Sequence, residues 1–210
     1  MYAKYIKRPL DFTLALCALI VLSPLLIILI VVGAIDMKGN PFFVQARPGK
    51  DEKLFNMIKF RTMTNEKDSN GNLLPDEKRL TKYGVFLRGS SLDELLELVN
   101  VIKSDMSLIG PRPLLVQYLP YYSEDERKRH IIRPGLTGWA QVNGRNALTW
   151  EQKFNYDIEY IEHCSFVLDI KIIFLTIKKI FLRSDILVGT QHIVGKLDAE
   201  RNKTGKNMDK

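Results

Sequence analysis

The chain has 210 residues, with 31 Lys and Arg against 24 Asp and Glu and a pI near 9.3, which leaves room for one cored domain plus a membrane element. Its net charge of +7 calls for an anionic partner such as a phosphorylated substrate or an acidic lipid face; nucleic acid is disfavoured, because acids interrupt the basic residues and no RNA or DNA module appears. Cys17 and Cys164 lie far apart and His130, His163 and His192 are scattered, which excludes a disulfide framework and a zinc site of ordinary spacing and fits reduced cytosolic surroundings.

Residues 12–35 carry no charge, and a helix of that length, about 36 Å, is enough to cross a bilayer core. Ser23-Pro24 stands near its middle. Proline removes a backbone donor there, and the Ser23 hydroxyl can satisfy the freed carbonyl. Lys4, Lys7 and Arg8 precede the run while Lys38, Arg47, Lys50 and Lys53 follow it, so both flanks read as cytoplasmic. A re-entrant hairpin with arms 12–22 and 25–35 is therefore preferred to a kinked span. The organisation expected is a re-entrant membrane helix over 1–38, a cytosolic catalytic domain over 39–187 and a flexible tail over 188–210. The fold class expected is α+β, mainly helical, with a small β-hairpin and amphipathic interfacial helices.

After the turn at Gly39-Asn40-Pro41, "FFVQA" and "KLFNMIKF" predict two strands joined by residues 47–51. A polar loop over 65–77 precedes helices over 77–88 and 91–103, which end at a proline-rich elbow, Gly110-Pro111-Arg112-Pro113. The leucines and tyrosines of 114–122 suit headgroup level. Residues 133–147, with three glycines and a proline, cannot form one regular element and suggest either a substrate loop or a turn cluster. Val167, Ile170, Phe174, Ile177 and Phe181 recur at helical spacing, with Lys171, Lys178, Lys179 and Arg183 along the same segment. That pattern predicts a basic amphipathic helix in the membrane surface. The polar tail from residue 196 is expected to be disordered.

The chemistry concentrates at Asp93 and Glu94. Ser91-Leu92-Asp93-Glu94 has capping-box spacing, with Ser91 as N-cap, which by itself explains both acids. A helix N-terminus there would also keep Asp93 ionised and attract phosphate. Arg112, Arg133 and Arg145 stand in loops without evident acidic partners. A carboxylate that attacks a diphosphate needs such cations, usually completed by magnesium. A non-catalytic membrane adaptor with a basic face is the competing reading; it would not need Asp93.

Ser23-Pro24 in an apolar segment, "KFRTM" at 59–63, "SLDELLELVNVIKSDMSLIGPRP" at 91–113 and "RPGLTGWAQVNGR" at 133–145 together resemble the monotopic phosphoglycosyl transferases, the bacterial sugar transferases. The similarity runs to about Arg183, and the short length resembles the minimal members, such as those that move phospho-N,N'-diacetylbacillosamine onto undecaprenyl phosphate. The resemblance implies that Asp93 is the nucleophile toward the β-phosphorus of a UDP-sugar and a ligand of Mg2+. Glu94 would assist the second step or organise the metal, while Lys59, Arg88, Arg112 and Arg145 would bind phosphate and substrate. Ser23 and Pro24 would form the helix break of an enzyme held in the bacterial inner membrane at its cytoplasmic face, among its phospholipids.

Overall fold

The computed structural model describes residues 1–144, 147–182 and 195–203. A π-helical turn, Tyr2–Ile6, leads into α1 (Lys7–Asp36), 30 residues long with Pro24 inside it, or about 45 Å at 1.5 Å per residue. It is the one helix among the described residues that is long and apolar enough to cross a membrane. Pro24 cannot bond the carbonyl of Ile20 four residues back, and Ser23 Oγ donates to that carbonyl at 2.7 Å instead. With the lost bond replaced, the helix runs through Pro24. The two expected arms thus fall within one helix, Lys7–Asp36, assigned through Ser23-Pro24.

One face of α1 lies along the domain. Ala15, Ala18 and Leu19 pack among Met57, Leu98, Val101 and Met106, and Leu26 and Leu29 among Phe60, Leu87 and Leu96. Both ends are tied as well. Arg8 donates to the carbonyls of Val101 at 2.7 Å and Ile102 at 3.0 Å, buried Lys7 pairs with Asp169 at 2.7 Å, and Tyr83 Oη donates to the carbonyl of Leu29 at 2.7 Å. The opposite face, with Ile20, Val21, Ile27, Ile28 and Ile35, is bare.

Strands β1 (Phe42–Pro48) and β2 (Leu54–Phe60) form the predicted antiparallel hairpin, Phe42 opposite Phe60 and Pro48 opposite Leu54. Arg47 and Pro48 belong to β1 and not to the turn, a position proline tolerates at the end of an edge strand. Behind β2, buried Asn100 acts as a substitute strand: its Oδ1 accepts from Ile58 N–H at 3.0 Å and its Nδ2 donates to the carbonyl of Asn56 at 2.8 Å. That pair of bonds fixes β2 against the helix that carries Asn100.

The two helices expected over 77–88 and 91–103 are broken into α2 (Asp76–Arg79), α3 (Lys82–Ser90) and α4 (Glu97–Ile102). Thr81 adopts extended backbone and caps α3, its side chain accepting from Gly84 N–H at 2.9 Å. Gly84 is needed there, because a Cβ would stand 2.0 Å from the carbonyl oxygen of Thr62. Beyond α4, β3 (Ser107–Ile109) pairs in parallel with β4 (Gly135–Thr137). Three-residue strands show no periodicity, so the sequence reading missed them.

Residues 133–147 hold β4 and the short α6 (Trp139–Val142), in keeping with the expectation that they form no single element. Between them and β3 lie a 3₁₀ segment, Val116–Tyr121, and α5 (Glu124–Arg127). The tyrosines here do not face outward as expected for headgroup level: Tyr118 and Tyr122 are buried with Trp150 and Phe154, because an aromatic body gains more from packing on other rings. α7 (Trp150–Glu162) begins with a full capping box of Thr149 and Gln152. In α8 (Phe166–Leu182) the predicted stripe is exposed over Val167, Ile170, Phe174 and Ile177, Phe174 to 68%, while the Phe181 side chain and all of Arg183 lie outside what is described. Within the tail, residues 197–203 form α9 (Leu197–Lys203), which docks by the fully buried Leu197, an apolar anchor that a mean over a polar segment conceals; residues 188–194 and 204–210 lie outside the described residues. Among the described residues the fold is mainly helical with two small sheets.

Candidate active site

Asp93 and Glu94 occupy a 3₁₀ turn, Leu92–Glu94, directly after α3. The expected capping box is absent: Ser91 is left-handed (φ 56°, ψ 18°) and makes no side-chain cap bond. Glu94 instead faces two cations, a stronger engagement for a carboxylate than one amide. Its Oε1 receives Lys59 Nζ at 2.8 Å and Arg112 Nη2 at 2.5 Å, and its Oε2 lies 3.4 Å from Arg112 Nη1. Burial works to raise the Glu94 pKa, but the charges of Arg112 and Lys59 overcome it and hold the carboxyl far below the usual range. Leu92, Leu95 and Leu96 of the same stretch pack with Leu26 and Leu29 of α1, so the acids face the cations while the leucines face the apolar helix.

Asp93 is half-buried and, among the described residues, makes no side-chain hydrogen bond or ion pair. Burial, then the charge of Glu94, pushes its pKa up, and Lys59, Arg112 and Arg88 pull it down. The result is an unengaged carboxylate in a field of three cations, one able to act as a nucleophile or ligand. The anion-attracting field comes from these side chains and not from a helix N-terminus, since α4 starts only at Glu97. Arg88 is set by a bond from its Nε to Thr62 Oγ1 at 3.1 Å, a contact made possible by the close approach at Gly84.

The structure thus brings together Asp93, Glu94, Lys59, Arg88 and Arg112. Arg145 lies outside the described residues. Ser23 and Pro24 sit on α1 as the helix-repair pair and not at the acids. Arg112 is no unpartnered arginine, being paired with Glu94, and Arg133 donates to the carbonyl of Ser104 at 2.7 Å. No group of three or more His, Cys, Asp or Glu able to hold a metal ion occurs among the described residues.

Sequence reasoning missed Glu97 and Arg47. Glu97 is 2% exposed and stands 2.9 Å from Lys59 Nζ, but its Oε1 has no aligned hydrogen-bond donor. Burial first, and the Glu94 charge second, push its pKa up to about 7. Its position three residues after Glu94, on the same helical face, was the available signal. Arg47 lies close enough to Arg112 that burial and that like charge lower its pKa to about 10; nothing in the alternation of β1 marked it.

The Glu97 shift has a definite sign. The folded state keeps the proton up to about pH 7, whereas the unfolded chain loses it near the ordinary value of 4.5. Its stabilising contribution is complete below that lower value and is lost as pH rises through about 7. Relative to Glu97→Gln, the wild type is expected to lose about 3 kcal/mol across this window, read as the gap between unfolding midpoints in detergent at each pH. A gap that does not change with pH would refute the assignment.

Residues 2–183 match the bacterial sugar transferase family. Among similar proteins, the uncharacterized sugar transferase EpsL of Bacillus subtilis is 50% identical over 188 residues, 90% of this chain and 93% of that protein. The undecaprenyl-phosphate glucose phosphotransferase of Komagataeibacter xylinus is 39% identical over 85% of this chain and 36% of its own length. For the UDP-glucose:undecaprenyl-phosphate glucose-1-phosphate transferase of Escherichia coli the figures are 38%, 85% and 41%. The chain therefore spans about two-fifths or less of those two longer relatives. The family motifs fall on the helix repaired at Ser23-Pro24, on β2 at Lys59, on the acidic turn and on the elbow of Arg112, and with a match over nearly the whole described length the chain belongs to the bacterial sugar transferase family.

Proposed function

We propose that the chain transfers a phosphosugar from a UDP-sugar to undecaprenyl phosphate, giving undecaprenyl-diphosphate-sugar and UMP as the first membrane step of glycoconjugate assembly. The observation that carries this reading is the unengaged Asp93 carboxylate facing Lys59, Arg112 and Arg88 on a turn seated against α1. An Asp93 Oδ attacks the β-phosphorus of the donor. The bond from that phosphorus to the bridging oxygen breaks, and UMP leaves with the electron pair. A phosphate oxygen of undecaprenyl phosphate then attacks the aspartyl phosphosugar and releases the Asp93 carboxylate, the ping-pong pattern of covalent catalysis. Lys59, Arg88 and Arg112, with Arg145 from the family motif, hold the phosphates. Glu94 keeps Lys59 and Arg112 aimed at the site.

A magnesium ion suits this donor set as a substrate-borne metal. The chain offers the free Asp93 carboxylate and little more, since both Glu94 oxygens face cations, and magnesium is commonly held by one or two carboxylates plus substrate phosphates. When bound, it supplies charge neutralisation at the diphosphate.

Attachment of both ends of α1 to one domain supports a monotopic arrangement, in which the helix dips into the cytoplasmic leaflet and returns neither end to the far side. The bare faces of α1 and α8 supply the phospholipid contact. Cysteines placed at Lys4 and Lys38, in a background lacking Cys17 and Cys164, are expected to label from the cytoplasmic face alone. Pro24→Ala restores the backbone bond to Ile20 and is expected to shift some molecules toward a spanning topology; an unchanged labelling pattern would remove the proline from the topology argument.

The reaction is tested by nucleotide release from a panel of UDP-sugars with magnesium and undecaprenyl phosphate. The panel includes UDP-glucose and UDP-galactose, named for relatives, and UDP-N,N'-diacetylbacillosamine. UMP release with one donor supports the reading and names the sugar. UDP release would indicate simple glycosyl transfer, and no release from any donor would favour an adaptor.

A further inference from the structure

Arg112 stands between Pro111 and Pro113, two residues without an N–H, so this elbow has few bonds of its own. A small pocket beside it is lined by Pro48, Pro111, Arg112, Pro113, Arg129 and His130. Three consecutive carbonyls are held from outside. Gly135 N–H donates to Pro111 at 2.9 Å, Arg129 Nη2 to Arg112 at 2.8 Å, and Arg47 Nη1 to Pro113 at 3.4 Å. The middle one is the shortest of the three and belongs to the residue that engages Glu94.

Arg129 is 3% exposed. Its Nη2 also donates to Asp157 Oδ2 at 2.7 Å, its Nε reaches the same oxygen at 3.1 Å, and its Nη1 lies 3.4 Å from the Tyr122 hydroxyl. The guanidinium stands over the rings of Tyr122 and Phe154, 5.8 and 5.6 Å from their centroids. Leu197 of α9 closes the far side of the same aromatic cluster. Trp150 Nε1 donates to the carbonyl of Gly195 at 2.9 Å and Arg201 to Glu126 at 2.5 Å, which pins α9 in place. A buried ion pair is poor value for stability alone, since apolar residues of similar volume often serve as well; its usefulness lies in fixing direction, and here the direction is toward the Arg112 carbonyl.

We propose that Arg129, aimed by Asp157 and by the aromatic cluster that Leu197 closes, is a positioning residue that sets Arg112 for the donor diphosphate. α9 lies beyond the residues matched by the family. The inference rests on the phosphosugar-transfer reading for the donor diphosphate and the kinetic readout; the fixing of the Arg112 carbonyl by Arg129 stands on the geometry.

The test compares Arg129→Lys, Asp157→Asn and Leu197→Ala with Ile172→Val, a control from a core cluster separate from that of Tyr122 and Phe154. Lysine keeps the charge but cannot span Asp157 and the Arg112 carbonyl with one planar fork. Arg129→Lys and Asp157→Asn are expected to raise the donor KM about tenfold, with the undecaprenyl phosphate KM unchanged, and Leu197→Ala to raise it in the same direction by less. Modification of Arg112 by phenylglyoxal, followed by peptide mass, should accelerate in the same order and not in the control. Should the wild type release no UMP, the functional reading falls, and Arg112 reactivity alone decides the positioning role. An Arg112 reactivity and donor KM that match those of the control overturn it.

Discussion

Asp93→Asn is expected to lower UMP release by at least about 10⁴-fold, as loss of a covalent nucleophile does in other enzymes, while leaving the fold intact. The side chains are nearly isosteric. Among the described residues Asp93 makes no hydrogen bond or ion pair to lose, and burial already opposes its charge, so a neutral amide removes a cost. The unfolding midpoint in detergent should stay the same or rise slightly. Incubation with the reactive UDP-sugar in the absence of undecaprenyl phosphate should add one phosphosugar mass to the wild type and none to the variant. Turnover in Asp93→Asn near the wild-type rate would sink the nucleophile assignment, and a lost activity accompanied by unfolding would reassign Asp93 to structure.

Lys59→Met is expected to damage both stability and activity. Its ammonium lies between Glu94 at 2.8 Å and Glu97 at 2.9 Å, with its side chain only 13% exposed. Once it is gone, Glu94 keeps Arg112, but Glu97 has no ion-pair partner among the described residues. Breaking a buried pair by removing one member costs about 3–5 kcal/mol, and that range should apply at pH 8. At pH 6 the loss should be smaller, because Glu97 can escape by staying protonated. Lys59→Met/Glu97→Gln should recover much of the stability at pH 8 and none of the UMP release. Unfolding midpoints in detergent at both pH values decide it: a double variant no steadier than the single one would show that Glu97 is not the stranded charge.

Much of the site is legible in the sequence because its parts lie in short motifs of strong chemistry. Asp93, Glu94, Lys59, Arg88 and Arg112, drawn from four separate stretches of the chain, lie together in the fold. Ser23 also meets the Ile20 carbonyl as the proline chemistry requires. The local readings of those motifs fare less well. A capping box is the natural account of Ser91 and Glu94, but it assumes a helix at that point, and the pull of Lys59 and Arg112 on Glu94 is a tertiary effect invisible in four residues. Tyr118 and Tyr122 read equally well as interfacial or core aromatics, and only the arrival of Trp150 and Phe154 from α7 decides between them. The helix breaks at Leu80 and at Ser91 follow from the close passage of Gly84 over Thr62 and from a left-handed residue that no periodicity encodes. Leu197 shows the converse failing, in which one apolar side chain in a charged segment is enough to dock a helix.

The two faces of α1 answer to different solvents, and this divides what substitution can do to them. Ile20, Val21, Ile27 and Ile28 face outward, where any apolar side chain of similar bulk would serve a lipid. Ala15, Leu26, Leu29 and Gly33 are shaped by contacts with the domain, Gly33 so tightly that an added Cβ would meet Pro41 at 3.0 Å. α1 is therefore not an interchangeable module. Grafting an unrelated apolar helix of the same length onto residues 39–210 would keep the length and the apolar character, yet withdraw the leucine floor on which the acidic turn is built.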